Sequence, residues 1–158
     1  MPTAEQYIKR IEYGDRIIKM RTKDLKHADT MRQLPIPANC MNWNLGHILV
    51  FRDVCLGAID GESGADPAEY AIYGAGSDPL TESNADKAVP LETLLKRLDE
   101  SSNRLKAALL SASSERFNEM YESHTGPQQL DDYLLFYLVV HEAVHLGQLE
   151  ILEELGRA

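Results

Sequence analysis

Between Pro90 and Ala112 one helical face carries Leu91, Leu94, Leu95, Leu98, Leu105, Ala108, Leu109 and Ala112. That spacing predicts an amphipathic helix with Pro90 in its first turn. A helix of this kind owes most of its stability to burial of its apolar face, so other elements must cover it. The remaining chain supplies three further helical segments and no sustained strand pattern. One runs from about Thr3 to Met31, with Tyr7, Ile11, Ile18, Leu25 and Ala28 at helical spacing and Gly14 and Asp15 interrupting the face. Gln33-Leu-Pro-Ile-Pro-Ala-Asn39 ends it, because Pro35 and Pro37 favour an extended path.

A second helix is predicted from Asn42, a plausible N-cap, to about Gly61, with Ile48, Phe51, Val54, Cys55, Ala58 and Ile59 as apolar positions. The last runs from about Gln128 to Leu155, with Gly156 suited to its C-terminal cap. Its stripe reads Leu134, Tyr137, Leu138, His141, Val144, His145, Gln148, Leu152 and Leu155. The Asp60–Lys87 connection is far longer than adjacent antiparallel helices require. A return along the molecule explains it, so the second and third helices run parallel. The expected fold is all-α: a single domain over residues 1–158, a four-helix bundle in up-down-down-up order with a long crossover between helices two and three.

Charge narrows the partners. The chain has 25 acidic and 16 basic residues, a net charge of -9. Its most basic stretch, Lys19 to Lys26, is interrupted by Asp24 and apolar residues, which argues against nucleic-acid binding. Met1 to Arg10 is polar, without the apolar core of a secretory signal. No stretch reaches roughly 18 consecutive apolar residues, so no membrane partner is expected. Two cysteines, Cys40 and Cys55, make no disulfide framework, and a reduced, cytoplasmic setting is the simplest reading.

The chemistry concentrates in the last helix. His141 and His145 stand four residues apart, on one face and about one turn from each other, where two imidazoles can share a metal ion. Gln148 extends the row. Polar groups in a core stripe cost about 1–3 kcal/mol each unless satisfied, and a divalent metal with bound water would satisfy these. His47 is the preferred third ligand, because it lies on the apolar stripe of the second helix. His124, in a loop, comes second; His27, beside Lys26 and Asp29, reads as a surface residue. Three imidazoles leave coordination positions open, as catalytic metal sites do.

His141-Glu-Ala-Val-His145 also fits the H-E-x-x-H pattern of zinc proteases, with Glu142 as general base. Only 13 residues follow His145, the extended third-histidine pattern is missing, and so are the strands of a protease cleft. Glu142 then reads as solvated or as lying on a helix boundary. Other residues have plain readings. Trp43 anchors the start of the second helix or lines a ligand pocket, and Asn44 caps that helix or reaches the metal site. Arg52 and Asp53 form surface or interface ion pairs, or Arg52 anchors an acidic substrate. Glu150, Glu153 and Glu154 form a solvated face.

Asn42-Trp-Asn-Leu-Gly-His47 with Arg52-Asp53, and His141-Glu-Ala-Val-His145-Leu-Gly-Gln148 ending in Leu155-Gly156-Arg157, resemble the second and last helices of DinB-like (YfiT-related) proteins. The resemblance spans essentially the whole chain. It implies a four-helix bundle with a three-histidine metal site at His47, His141 and His145, nickel or zinc as occupant, and a homodimer. It also implies, for some members, metal-dependent transfer or isomerisation with low-molecular-weight thiols. Two function classes follow. One is a metal-dependent thiol transferase or hydrolase acting on a small molecule; the other is a non-enzymatic metal-binding stress-response bundle or dimerisation module.

Overall fold

The computed structural model describes residues 2–36, 38–62, 64–123 and 126–157. Pro37 and His124 lie outside them. The protein is mostly helical, with one small two-stranded sheet. Helix α1 spans Ala4–Arg21 and opens on a reciprocal cap, in which Thr3 Oγ1 accepts from Gln6 N–H and Gln6 Oε1 accepts from Thr3 N–H. It buries Tyr7, Ile11, Gly14 and Ile18. The uninterrupted helix expected to Met31 does not form. Thr22 turns its hydroxyl back onto the Ile18 carbonyl, Asp24 takes a left-handed φ of 65°, and a short α2 follows at His27–Thr30.

Helix α3, Met41–Asp60, is capped at Cys40 rather than Asn42. Asn42 lies inside the helix, where its amide donates to the Val89 carbonyl. The helix ends where expected, at Gly61, whose φ of 76° suits glycine. Almost all of α3 is buried, including Arg52 and Asp53. The crossover is not plain loop: α4 occupies Pro67–Tyr73, and a 3-10 turn occupies Glu82–Lys87. Helix α5, Leu91–Ser111, matches its prediction closely, burying Leu91, Leu94, Leu98, Leu105 and Leu109. A short α6, Ser114–Asn118, leads into an antiparallel hairpin of β1, Met120–Ser123, and β2, Gly126–Gln129, paired from Met120↔Gln129 to Ser123↔Gly126. No strand was expected here, since neither segment alternates apolar and polar residues.

The last helical run comprises α7, Leu130–Leu135, a π-helical stretch, Phe136–His141, and α8, Glu142–Arg157. The wide π turn holds an extra residue and advances the buried face by about one position beyond it. Leu149 and Gly156 are therefore buried, whereas Val144 and Gln148 are exposed. Gly156 does not cap the helix. It lies within it, where a Cβ would stand 3.3 Å from the Asp29 carbonyl and 3.5 Å from Leu25.

Helices α1 and α3 each pack against both α5 and α8. One apolar cluster gathers Tyr7, Ile11, Phe51, Leu105, Tyr133 and Tyr137; a second gathers Ile18, Leu45, Leu49, Leu94, Leu98 and Leu149. By length and composition Leu130–Arg157 is also long and apolar enough to cross a membrane, although it contains no 18 consecutive apolar residues. The reason is that this run is apolar on two faces. One packs inside, and the other exposes Phe136, Val140, Val144 and Ile151.

Candidate metal centre

Three imidazoles meet between α3 and the last helical run. His47 Nε2 lies 3.1 Å from His141 Nε2, which lies 3.3 Å from His145 Nε2. The backbone brings them there for separate reasons. His47 is carried on the buried first half of α3, His141 closes the π turn, and His145 follows one α-helical turn later.

Hydrogen bonds fix two of the three tautomers. His47 Nδ1 is 2.5 Å from the Tyr73 carbonyl, which can only accept, so Nδ1 carries the proton. His145 Nδ1 is 2.8 Å from Asn44 Oδ1 and 2.9 Å from Gln148 Oε1. The Asn44 amide nitrogen donates to the carbonyls of Asn39 and Cys40, which orients its oxygen toward His145. Nδ1 of His145 is therefore protonated as well. Both neutral rings present bare Nε2 lone pairs toward His141. The single proton that a neutral His141 could place on Nε2 would satisfy one neighbour and leave the other facing a lone pair.

A further proton is a poor remedy. Burial first, then His145 and His141, lowers the pKa of His47 to about 4 against the opposing Tyr73 bond. Burial, then His145, lowers His141 to about 4, and burial lowers His145 despite its bond to Gln148. Neutral imidazoles are the form that binds metal. Two ligand nitrogens on one ion, at roughly 2.0–2.1 Å each, stand about 2.8–3.4 Å apart for bond angles between octahedral and tetrahedral. The two spacings to His141 fall in that range, and the ligand nitrogens of all three lie within 4.8 Å of one another. The three histidines thus form a group that could hold a metal ion.

Aromatic rings hold the cluster. Trp43 stacks on His47 at 4.4 Å between centroids, and Phe51 lies 4.6 Å from His47 and 4.8 Å from His141. The Trp43 indole N–H donates to Ser77 Oγ at 3.0 Å, so Trp43 both anchors α3 and faces the centre. Gly46 is required by close approach, since a Cβ there would stand 2.3 Å from the Tyr73 ring.

Several sequence readings change. Arg52 and Asp53 are not surface residues. Arg52 is fully buried and binds Glu142 through two contacts, Nε–Oε2 at 3.0 Å and Nη2–Oε1 at 2.6 Å. Its Nη1 reaches Asp15 at 2.7 Å and Ser102 at 2.6 Å, and Ser101 donates to Asp53 at 2.6 Å. Glu142 is thereby occupied as an ion-pair partner, which removes it from the protease role. Gly14 makes room for this contact, because a Cβ would stand 2.5 Å from Glu142 Oε1. Glu153 is buried between Arg21 and Arg157 instead of lying on a solvated face. His27 is half-buried, with Nδ1 lacking a hydrogen-bond partner. Cys40 and Cys55 are free and buried, and burial pushes both thiols up, Cys55 strongly. Tyr73 was missed because it contributes a main-chain carbonyl; its signal was only that it is one of few large side chains in the crossover.

Fold and site together define a mostly helical protein with a histidine triad that could hold a metal ion. The sequence matches the DinB superfamily over residues 16–149, and the chain belongs to that superfamily. No curated protein matches it. Among solved structures it is similar to a conserved protein from Enterococcus faecalis, at TM-score 0.74 and 16% identity, covering 98% of this chain and 97% of the other. An uncharacterized protein from Clostridium difficile 630 gives TM-score 0.69 and 11% identity, at 98% and 97% coverage. A mutant of mycothiol-dependent maleylpyruvate isomerase gives TM-score 0.60 and 13% identity; 93% of this chain matches, spanning 64% of that protein.

Proposed function

We propose that this protein is a metal-dependent enzyme acting on a small molecule, with His47, His141 and His145 as the metal ligands and a low-molecular-weight thiol as co-substrate. The observation that carries the reading is the meeting of three Nε2 atoms, two of them bare because their Nδ1 protons are committed to Tyr73 and to Asn44 and Gln148. A divalent ion held there, nickel or zinc by family resemblance, supplies Lewis acidity and lowers the pKa of a bound thiol or water. The chain's own residues orient the imidazoles and, through Trp43 and Phe51, shield them from solvent.

Thiol transfer is favoured over hydrolysis by the state of Glu142, Cys40 and Cys55. The carboxylate is committed to Arg52, and both thiols are buried, so the nucleophile is expected to arrive with the substrate. The structural similarity to a mycothiol-dependent isomerase agrees with this choice. The four long helical runs are read as one domain, an up-down-down-up four-helix bundle working in the cytoplasm. The exposed Phe136, Val140 and Val144 are read as a homodimer contact.

Elemental analysis of protein purified without a histidine tag tests the centre. About one divalent ion per chain is expected, and its loss in His47→Ala and His141→Ala. Protein that stays metal-free after reconstitution with nickel and with zinc would sink the proposal. A loaded protein that consumes no electrophile in the presence of thiols would favour the second reading, a non-enzymatic metal-binding stress-response bundle or dimerisation module.

A further inference from the structure

Beside the triad a cavity of about 420 Å³ opens between α3, α8 and the segment that leads into α3. That volume is typical of small-molecule sites. Leu34, Ile36, Trp43, Ile151 and Leu152 form its apolar wall. Asn44, His145 and Gln148 line it as well, so the polar groups of the cavity include the residues that orient the third imidazole. No lysine, arginine, aspartate or glutamate among the described residues lines it, although such residues make up 26% of the chain.

We infer that the molecule seated in this cavity is a small thiol with an uncharged, apolar body, its polar end toward His145. The inference rests on the metal-dependent thiol reading and specifies the substrate class. A carboxylate drawn into this wall would lose water without gaining a cationic partner. The net charge of -9 further disfavours anionic ligands. The Gln148 amide nitrogen and the second lone pair of Asn44 Oδ1 offer neutral hydrogen-bonding groups, which suit a hydroxyl or amide better than an ion.

The test compares benzyl mercaptan with 4-(mercaptomethyl)benzoate on cobalt-loaded protein, following the cobalt absorption bands during titration. Benzyl mercaptan is expected to bind at least about tenfold more tightly. Ile151→Lys, at a position 60% exposed and therefore tolerant of substitution, is expected to shrink or invert that ratio. Equal or tighter binding of the carboxylated thiol to the unmodified protein would overturn the inference, as would an unchanged ratio in Ile151→Lys.

A metal-free arm separates this inference from the reading beneath it. Trp43 is the chain's single tryptophan and lines the cavity. Benzyl alcohol is expected to change its fluorescence in metal-free protein, and 4-(hydroxymethyl)benzoate is not. If cobalt fails to bind while this preference persists, the metal reading falls and the assignment of the cavity stands. If neither alcohol, or only the benzoate, perturbs Trp43, the assignment of the cavity falls even where cobalt binds.

Discussion

Two polar inclusions interrupt the contact between α3 and α8, and they differ in kind. Arg52, Glu142, Asp15 and Ser102 form a closed set: each charge meets an opposite charge, and Ser102 bridges two of them. His47, His141 and His145 form an open set, in which nitrogens face nitrogens and two carry unshared lone pairs. Removing water from ions costs several kcal/mol each, so a buried charged cluster persists only when internally matched. Neutral imidazoles are cheaper to bury, and their mismatch can await a cation. The comparison teaches that burial of polar groups alone marks no active site. The mark is lone-pair capacity left over after internal hydrogen bonds are assigned.

The largest test of this contrast is Arg52→Ala. It leaves Glu142 as an uncompensated buried charge and strips the half-buried Asp15 of its partner, and a stability loss of about 3–5 kcal/mol is expected by urea denaturation. His47→Ala tests the open set. Loss of the buried ring and of its bond to the Tyr73 carbonyl should lower metal-free stability by about 1–3 kcal/mol, and the added stability conferred by metal, about 2.7 kcal/mol at a hundredfold excess over Kd, should vanish. A His47→Ala protein that still gains stability from the metal would break the distinction between the two sets. Asn44→Ala releases His145 without touching the charged cluster, and metal affinity should fall about 10–100-fold. Isothermal titration with zinc or nickel checks this.

A separate test is the effect of pH on the metal-free protein. The folded pKa values of His47 and His141, about 4, lie below the ordinary imidazole value of 6.5. Between those limits the unfolded chain binds more protons, so stability rises with pH across the window and falls as pH drops from 6.5 toward 4. Urea midpoints at pH 7.5 and 5 measure it, and His141→Ala should flatten the difference.

The long helices were legible in the sequence because their apolar periodicity is local. Leu91, Leu94, Leu98, Leu105 and Leu109 are buried as their spacing demands. The histidines were legible because each occupies a position where an aliphatic residue was expected. What escaped depends on partners distant in sequence or on the main chain. Arg52 reads as a surface cation until Asp15 and Glu142, 37 and 90 residues away, are brought to it. The π turn leaves no compositional trace, yet it moves the inner face from Val144 and Gln148 to positions one residue on. The hairpin at Met120–Gln129 is short and polar, so it has no period to read. The break after Arg21 depends on the conformation of Asp24, which apolar spacing does not report.

Tyr73 joins the crossover to the centre at two points. Its carbonyl meets His47, while its hydroxyl donates to Asn42 and accepts from Val89 N–H. The crossover is thus divided in its tolerance of change. Residues added near Gly61, whose neighbourhood is open, lengthen a tether without moving the imidazole. A residue gained or lost between Tyr73 and Val89 displaces the Val89 N–H from the Tyr73 hydroxyl and so disturbs the residue whose carbonyl holds His47. Drift in loop length is therefore silent on one flank of α4, and on the other it retunes the basicity of a histidine that the loop does not contain.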